Sequence, residues 1–451
     1  MLNIGDRLKL TIKRLGINGE GIAYYNKLVI FVSGALPGEL CELEITEARE
    51  KMAYAKLLEV ITPSKFRVEP KCKYYGRCGG CSTMHIDYKK MGEYKRNLVI
   101  EALERYTDLN TRSFEIKPTI LMDEPYGYRF KSQLPVRDFN GKSTVGLYSV
   151  DGKDVIYIDS CMNHTNDINR INNTLLVLSV ELNISPYLEK YRRGVLKHIV
   201  VRVSHITKEA QVTLVVHEKS PKVFELAKKI INIPGVVSVY ESINEDNKDA
   251  EIFGDNLKLL EGKATILEGI GKYKFELLPN AFFQLNPSQT EKLYEVALKA
   301  AKLSFKETVL DAFCGVGTIG LYFSHNSKEV IGIESNKEAI DNANNNAKLN
   351  KVKNASFICG DVYETLKKID KKFDVIVCDP PRTGLGSDLC EAFIESGAKR
   401  IIYISCNPAT LAKDINILSK KYKINSIQPL DMFPNTSHVE SITLLVRKDT
   451  K

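Results

Sequence analysis

Apolar and polar residues alternate in short bursts over the first 60 residues, as in RLKLTIKRL, KLVIFVSG and GELCELEITEA. Such alternation is typical of half-buried strands, and the segments GINGEGIA and ALPGE separate the bursts as turns. About five short strands in this length predict a small β-barrel of the OB type over residues 1–62. The segment TPSKFRVEP then breaks the alternation, as a linker does.

A mixed pattern occupies residues 63–275, which we interpret as a central α+β domain. The segment YKKMGEYKRNLVIEALERY is predicted to form a helix, and KHIVVRVSH and AQVTLVVH are predicted to form strands. The same region begins with a group of closely spaced cysteines.

Strands and helices alternate over residues 276–451, which we interpret as a third domain. Strands are predicted at 309–313, 329–334, 355–361, 374–379, 400–406, 423–430 and 440–447. Alternation with helices favours a parallel, doubly wound sheet. The last two strands follow each other without a long helix, so an antiparallel hairpin is expected at the end. The fold class is therefore multidomain α/β.

Length and composition limit the number of domains and the cellular location of the protein. A chain of 451 residues exceeds one ordinary core, so two or three domains are expected. Hydrophobic residues make up 43% and charged residues 27%, and no apolar run approaches the roughly 20 residues of a membrane span. The start, MLNIGDRLKL, has no apolar stretch of the signal-peptide kind. We expect a cytoplasmic protein without a membrane partner and infer no obligate protein partner.

The net charge of +8 is concentrated in one window of the chain. Residues 61–100 hold nine basic and three acidic side chains, which supply +6 of it. Four tyrosines are interleaved with these charges: Tyr74, Tyr75, Tyr88 and Tyr94. Cations for phosphates and aromatic rings for unstacked bases suit single-stranded RNA, although a charge run alone is more often a solvated surface.

A glycine loop follows the first strand of the third domain, in TVLDAFCGVGTIGLYF. Gly315, Gly317 and Gly320 fit the spacing G-x-G-x-x-G, which lets the backbone approach a ligand at a helix N-terminus. Glu334 ends the next strand and could accept hydrogen bonds from ribose hydroxyls. This loop alone suits a nicotinamide cofactor and S-adenosylmethionine equally.

The segment VIVCDPPRTGL distinguishes these two cofactors. Asp379, Pro380 and Pro381 follow the fourth strand, at the carboxyl edge where such sheets bind ligands. The sequence D-P-P is typical of class I methyltransferases. Methyltransferases that act on exocyclic amines follow it with an aromatic residue, and here Arg382 follows, which argues against that reaction.

Cys406 ends the fifth strand in IIYISCNPATLAKD. Asn407 can cap the following helix and Pro408 suits its first turn. A thiol at a helix N-terminus is expected to have a lowered pKa. An isolated cysteine is more often a small core residue, but the position beside the cofactor loop favours a nucleophile.

A thiolate is needed when a methyltransferase acts on C5 of a pyrimidine. Its addition to C6 turns C5 into a nucleophile for the sulfonium methyl group. A base must then remove the C5 proton. His438 and Glu440 lie just before the last strand, and a carboxylate shielded from water has a raised pKa that suits this role.

Six segments, in this order, resemble the RNA uracil-C5 methyltransferases: FFQLN, LDAFCGVGTIGL, GIE, CDPPRTGL, ISCNPATLAKD and HVES. Residues 1–62 resemble the TRAM domain, so the resemblance covers nearly the whole chain. It implies a Rossmann-like class I domain that binds S-adenosylmethionine, with Cys406 as nucleophile and Glu440 as general base. The cofactor contacts that it implies are Gln284, Phe313, Glu334 and Asp379.

The cysteine group CKYYGRCGGC places Cys72, Cys78 and Cys81 at the spacing C-x5-C-x2-C. Disulfides are not expected in a cytosolic enzyme, so the spacing indicates a metal site. By itself it leaves zinc and an iron–sulfur cluster open. The resemblance implies a 4Fe–4S cluster with Cys161 as the fourth ligand, because the ribosomal-RNA branch of the family carries one on this pattern.

We therefore expect methylation of C5 of uridines in 23S rRNA. A barrel together with a cluster favours ribosomal over transfer RNA, because the tRNA branch generally lacks both. One alternative is a tRNA uracil-C5 methyltransferase. Another is a non-catalytic iron–sulfur RNA-binding protein.

Overall fold

The structure is a computed structural model, and it describes residues 2–139, 142–245 and 251–448. The chain divides into two compact units. Unit 1 consists of residues 1–125 together with 379–451, and unit 2 consists of residues 126–378. The three domains predicted at 1–62, 63–275 and 276–451 do not coincide with these units, and their boundaries stay a prediction. Within the described ranges, no helix has both the length and the apolar character of a membrane span.

The regular elements follow in chain order. The strands are β1 (Arg7–Thr11), β2 (Arg14–Leu15), β3 (Gly21–Tyr25), β4 (Leu28–Val32), β5 (Leu40–Ala48), β6 (Met52–Thr62), β7 (Glu115–Ile116), β8 (Lys131–Phe139), β9 (Lys142–Tyr148), β10 (Val155–Tyr157), β11 (Leu196–Val203), β12 (Ala210–Val216), β13 (Val236–Ile243), β14 (Asn256–Gly262), β15 (Ile266–Ile270), β16 (Tyr273–Leu277), β17 (Thr308–Ala312), β18 (Glu329–Glu334), β19 (Ala355–Cys359), β20 (Val375–Cys378), β21 (Arg400–Ser405), β22 (Tyr422–Leu430) and β23 (Glu440–Arg447). The α-helices are α1 (Tyr88–Tyr106), α2 (Asn166–Glu181), α3 (Pro221–Ile230), α4 (Pro287–Ala301), α5 (Thr318–Ser324), α6 (Lys337–Leu349), α7 (Val362–Lys368), α8 (Gly386–Glu395) and α9 (Pro408–Leu418).

The N-terminal part of unit 1 is a six-stranded sheet in the order β1-β5-β6-β4-β3-β2. Alternate residues of these strands form its core, among them Ile30, Leu43 and Ala53, which are fully buried. This alternation is the pattern that predicted about five strands in the sequence. The additional strand is β2, which has only two residues.

The helix predicted in the cysteine-containing region is observed as α1. Its first turn is capped by Asp87, whose side chain accepts a hydrogen bond from the backbone N–H of Lys90. Its buried face carries Met91, Leu98 and Leu103, at the spacing of one helix face. One charged residue, Lys95, lies on the same buried face.

The C-terminal part of unit 1 contains α8, α9 and the strands β21, β23, β22 and β7 in that order. β23 pairs antiparallel with both β21 and β22. The antiparallel hairpin predicted at the end of the chain is therefore confirmed. Leu430 and Glu440 are register partners at its closed end, so the loop 431–439 leads directly from one to the other.

Unit 2 holds two further sheets and a hairpin. The seven-stranded sheet has the order β10-β9-β8-β11-β12-β13-β14, and β15 pairs with β16. β19, β18, β17 and β20 lie in that order, and their pairs are parallel. The strands predicted from residue 309 onward agree with those observed to within two residues.

Candidate active site

The candidate nucleophile Cys406 lies at the junction of β21 and α9. The Asn407 side chain accepts a hydrogen bond from the Ala409 backbone N–H at 3.0 Å, so the predicted cap is confirmed. The hydroxyl of Ser405 accepts from the Asn407 N–H at 3.1 Å. These bonds fix the backbone on the C-terminal side of the thiol, which is partly exposed.

The loop that follows Asp379 is anchored to the same helix. The carbonyl of Arg382 accepts hydrogen bonds from the Asn407 amide at 3.1 Å and from the Thr410 hydroxyl at 3.3 Å. Asn407 therefore has two roles, because one end of its amide caps α9 and the other end holds the D-P-P-R segment beside Cys406.

Asp414 anchors the next part of this loop and was missed by the sequence reasoning. It is buried, and its carboxylate accepts from the Leu385 backbone N–H and from the Tyr403 hydroxyl, both at 2.7 Å. The adjacent Gly384 has φ +80°, and a Cβ there would lie 2.5 Å from the Asp414 carboxylate. A charged residue on the apolar face of a predicted helix was the signal available for Asp414.

The candidate base Glu440 is the first residue of β23, and its side chain is almost fully buried. Burial raises its pKa, and the neighbouring Asp379 carboxylate raises it further. The pKa of Asp379 is itself raised by burial. Two neighbouring carboxylates that are shielded from water resist holding two negative charges, so one proton is retained easily. Glu440 is in consequence a stronger base than an exposed glutamate when it is ionised.

The expectation of a lowered pKa for Cys406 is wrong. Burial raises the pKa of this thiol to about 11, and the charges of Glu440 and Asp379 act in the same direction. Arg382 lowers it, but by less. The partial charge at the N-terminus of α9 is small beside two carboxylates. The thiol is therefore protonated at neutral pH, and forming the thiolate requires transfer of its proton.

A buried ion pair lies beside this group and was also missed. Lys95 from α1 donates from Nζ to the Asp431 carboxylate, and both side chains have no exposed surface. The Tyr88 hydroxyl donates to the same carboxylate at 2.8 Å. Burial lowers the pKa of Lys95, while Asp431 and Glu440 oppose that shift. The signal in the sequence was a lysine on the apolar face of a predicted helix.

His438, the other residue considered as a base, is exposed. Its ring lies edge-on to Phe433 with centroids 6.3 Å apart. Of the two candidates, Glu440 is the one that is buried next to Asp379.

The predicted cofactor loop lies in unit 2, at the carboxyl end of β17. Phe313 has φ +66° and Gly317 has φ +82°, so the loop makes a sharp turn before α5. The Gly315 N–H donates to the Glu334 carboxylate at 3.3 Å. A Cβ at Gly317 would lie 2.8 Å from Phe357, which explains the requirement for glycine there.

The loop leaves room for a ligand on one side. A Cβ added at Gly315 would meet no atom within 4 Å, so open space lies against the backbone. Glu334 and Phe313 are partly exposed, as is Gln284 in the segment before α4. These residues fit the adenosine and methionine parts of S-adenosylmethionine, since they offer a carboxylate, an amide and an apolar ring.

The cysteines predicted to bind metal lie in both units: Cys72, Cys78 and Cys81 in unit 1 and Cys161 in unit 2. Cys78 is buried, and its Sγ accepts from the Gly80 N–H at 3.4 Å. In the described ranges, no three His, Cys, Asp or Glu side chains come close enough together to hold a metal ion. The structure therefore gives no support to the expected cluster.

Four other cysteines stand in no recognisable metal-binding motif of the sequence, which predicts that they are packing residues. Cys41, Cys314 and Cys390 are buried, whereas Cys359 is exposed. Cys359 is the last residue of β19, where the strand leaves the core, so this expectation was wrong at one position.

The basic window at 61–100 is only partly a surface. Lys90 lies over the rings of Phe66 and Tyr94, at 4.6 and 5.5 Å from their centroids. Lys95 and Tyr74 are buried, so they are not available to a nucleic acid. The expected RNA-binding surface is accordingly smaller than the charge count suggested.

Comparison with known proteins agrees with this geometry. The family model described as tRNA (uracil-5-)-methyltransferase matches residues 117–448, and the TRAM domain model matches residues 2–58. An uncharacterized RNA methyltransferase of Halalkalibacterium halodurans is 41% identical over 99% of this chain and 97% of its own. Another, from Listeria innocua, is 39% identical over 98% of each chain.

One solved structure is similar over almost the entire length. The Pyrococcus abyssi tRNA (uracil-54, C5)-methyltransferase, in complex with S-adenosyl-L-homocysteine, is 27% identical with a TM-score of 0.78. The match covers 97% of this chain and 100% of that protein. This similarity supports a methyltransferase fold and a site for S-adenosylmethionine.

Proposed function

This chain belongs to the tRNA (uracil-5-)-methyltransferase family, and from that premise we propose that it methylates C5 of one or more uridines in 23S rRNA. It is an S-adenosylmethionine-dependent RNA (uracil-5-)-methyltransferase with an N-terminal TRAM domain. The observation that carries the proposed mechanism is the partly exposed thiol of Cys406 beside the buried carboxylate of Glu440 and the partly exposed carboxylate of Asp379.

In the proposed mechanism the partly exposed Cys406 thiol gives its proton to water, and its sulfur adds to C6 of the uracil. The electrons of the C5–C6 double bond move toward O4, and C5 becomes a nucleophile. S-adenosylmethionine supplies the methyl group that C5 takes up, and S-adenosylhomocysteine leaves. Glu440 then removes the proton from C5, the double bond re-forms, and the bond between C6 and the Cys406 sulfur breaks.

The environment of each group suits its step. Burial raises the pKa of Glu440 and strengthens it as a base, while Arg382 partly offsets the groups that raise the pKa of Cys406. The resemblance assigns Asp379, with Gln284, Phe313 and Glu334, to the cofactor. The cap at Asn407 keeps the thiol at the strand end, so it does not have to be ordered when RNA binds.

The choice of 23S rRNA is supported by the TRAM match at residues 2–58 and by the cysteine spacing. A tRNA substrate is the second candidate. It is favoured by the similarity to a solved enzyme that acts on uracil-54 of tRNA, over nearly the whole chain.

The experiment that separates the two is trapping with 5-fluorouridine-substituted RNA in the presence of S-adenosylmethionine. Fluorine at C5 cannot leave as a proton, so the adduct with the thiol persists in denaturing electrophoresis. Fragments of 23S rRNA and tRNA are used in parallel, with Cys406→Ala as the matched control. A band with rRNA fragments supports the proposal, and a band only with tRNA transfers the same mechanism to the second candidate.

The absence of any band in parallel with measurable RNA binding would favour the third possibility, a non-catalytic RNA-binding protein. That outcome would contradict the proposed role of Cys406. Methyl transfer from labelled S-adenosylmethionine to bulk RNA does not depend on the choice of fragment. Methylation of bulk RNA would show that the enzyme is active and that the fragments lacked its substrate, whereas no methylation would show an inactive site.

We further propose, on the sequence pattern and the family resemblance, that Cys72, Cys78, Cys81 and Cys161 hold a 4Fe–4S cluster. Protein purified without oxygen is expected to absorb near 400 nm and to contain iron and sulfide, and Cys78→Ser is expected to lose both. Cys359→Ser, which changes an exposed thiol, is the matched control. Bound zinc, or an unchanged spectrum in Cys78→Ser, would refute this part of the proposal.

A further inference from the structure

One face of the seven-stranded sheet of unit 2 is largely apolar, and the opposite face mixes polar and apolar side chains. β8, β11, β12 and β13 are neighbours in it, and residues paired across strands point to the same side. The apolar face, with Leu134, Ile199 and Leu214, is fully buried. Asn172 of α2 bonds to Ser132 on that side, so α2 covers it.

The opposite face carries a row of polar side chains across four strands. The register pairs Lys131 with Arg202, Arg202 with Gln211, and Gln211 with Ser238. A polar row inside a buried sheet costs free energy unless its groups are satisfied. We call these four residues the polar row.

Two cations lie directly opposite each other in this row. Lys131 and Arg202 are register partners in antiparallel strands, an arrangement that destabilises a sheet. Arg202 is only 5% exposed, and it donates from Nη2 to the carbonyl of Ala281. In the described part of the chain, its Nε and the Oε1 of Gln211 have no hydrogen-bond partner.

The charged groups around Lys131 add to this local excess of positive charge. Burial lowers the pKa of Lys131 to about 6, and the positive charges of Arg202 and Arg129 act in the same direction. Glu268 acts on Arg202, but its carboxylate already accepts from the backbone N–H groups of His205 and Gly269, each at 2.9 Å. The ring of Phe253 lies 5.3 Å from the Lys131 ammonium.

Two further cations, Arg202 and Arg129, lie close to the partly exposed Lys131, and that geometry calls for an anion. We propose that Lys131, supported by Arg202 and Arg129, binds a backbone phosphate of the RNA substrate. This inference rests on the proposed function, since it takes RNA as the substrate. A phosphate at this end of the row supplies the negative charge that the paired strands lack, and it gives Lys131 an acceptor.

The test is binding of the 23S rRNA fragment and of tRNA to Lys131→Gln by filter retention, alongside steady-state kinetics. The Kd and KM for RNA are expected to rise about tenfold or more, as for the loss of one charge-assisted hydrogen bond. The KM for S-adenosylmethionine and kcat are expected to stay unchanged. The slope of log Kd against log salt is expected to decrease by roughly 0.7, the value for one phosphate contact on a single strand.

A second measurement separates binding from a structural role. The amine must take up a proton to bind a phosphate, so RNA affinity of the wild type is expected to fall as the pH rises from 6 to 8. Lys131→Arg is charged throughout this range and is expected to keep the affinity while it flattens the pH dependence. Lys131→Gln is expected to lose both the RNA affinity and its dependence on pH.

Lys306→Gln, which removes an exposed lysine of the same unit, is the matched control and is expected to bind RNA like the wild type. Thermal unfolding shows whether each variant is folded. Unchanged RNA affinity in Lys131→Gln overturns the inference, and so does a rise in KM confined to S-adenosylmethionine, which would assign the anion to the cofactor carboxylate. RNA binding is measured without turnover, so failure of the proposed reaction remains distinguishable.

Discussion

The site around Cys406 in unit 1 and the polar row of unit 2 bring together groups of opposite charge. Unit 1 surrounds Cys406 with the carboxylates of Glu440 and Asp379, and the pKa of all three groups is raised. Unit 2 places the partly exposed Lys131 beside the buried Arg202, and the pKa of both is lowered. Burial disfavours the charged form in both units. A shielded carboxylate becomes a stronger base, whereas a shielded cation is stabilised when an anion binds beside it.

This contrast corresponds to two roles, proton transfer in unit 1 and anion binding in unit 2. The buried acids and thiol of unit 1 exchange protons during a reaction, so their protonation has to change in each turnover. The basic groups of unit 2 favour a negatively charged ligand, and Lys131 takes up a proton when that ligand binds. Substitutions in unit 1 are therefore expected to change kcat, and substitutions in unit 2 to change binding.

The largest effect is expected from Cys406→Ala. Without the sulfur there is no addition to C6, and methyl transfer is expected to fall by more than about a thousandfold, while RNA binding stays close to that of the wild type. Transfer of a labelled methyl group measures the first and filter retention the second. Cys359→Ala, at an exposed thiol, should retain full activity. Measurable turnover in Cys406→Ala would contradict the mechanism.

Glu440→Gln is expected to have a smaller effect of a different kind. The amide cannot accept the C5 proton, so turnover is expected to drop by roughly 10² to 10⁴. Addition and methylation still proceed, and a covalent complex with unmodified RNA should accumulate on denaturing gels. A variant that is slow but forms no such complex would show that Glu440 acts before methyl transfer rather than after it.

Gly317→Val tests whether a substitution in unit 2 changes ligand binding. Gly317 has φ +82° and a Cβ there would overlap with Phe357, so the cofactor loop must move. The Kd for S-adenosylhomocysteine, measured by calorimetry, is expected to increase more than about tenfold, in line with at least 1–2 kcal/mol of backbone strain. RNA binding should change little. Gly397→Ala, at a glycine with φ +72° and open space around it, is a control for strain at a positive φ elsewhere.

The smallest effect on activity is expected from changes to the ion pair of Lys95 and Asp431. Lys95 lowers the pKa of Glu440, and Glu440 must be ionised to act as a base, so activity rises with pH through this pKa. Removing the cation raises that pKa and is expected to move the acid limb of the kcat profile to higher pH. The double variant Lys95→Met, Asp431→Leu removes both charges and is expected to remain folded.

Lys95→Met alone leaves Asp431 buried without its cation, and is expected to lose about 3–5 kcal/mol of stability. Denaturant unfolding compares it with the double variant. An acid limb at the same pH in the wild type and the double variant would mean that the pair serves stability only.

Much of this molecule could be predicted from local pattern. The strands from β17 to β23 and the helix α1 follow from apolar runs and spacing, and Asn407 is a helix cap because its side chain bonds only two residues along the chain. The positions of Cys406 and Glu440 at strand ends follow from the same runs. Their chemical roles rest on the family resemblance and remain proposals.

Other features depended on residues far apart in sequence. The pair of Lys95 and Asp431 spans 336 positions, and the opposition of Lys131 and Arg202 exists only through the register of β8 and β11. The sequence alone determined which elements form and which residues end them, because hydrogen bonds and side-chain periodicity act over a few residues. Only the tertiary structure decided the pKa of Cys406, the burial of Lys95 and the charge of the polar row, because these depend on which distant side chains share a site shielded from water.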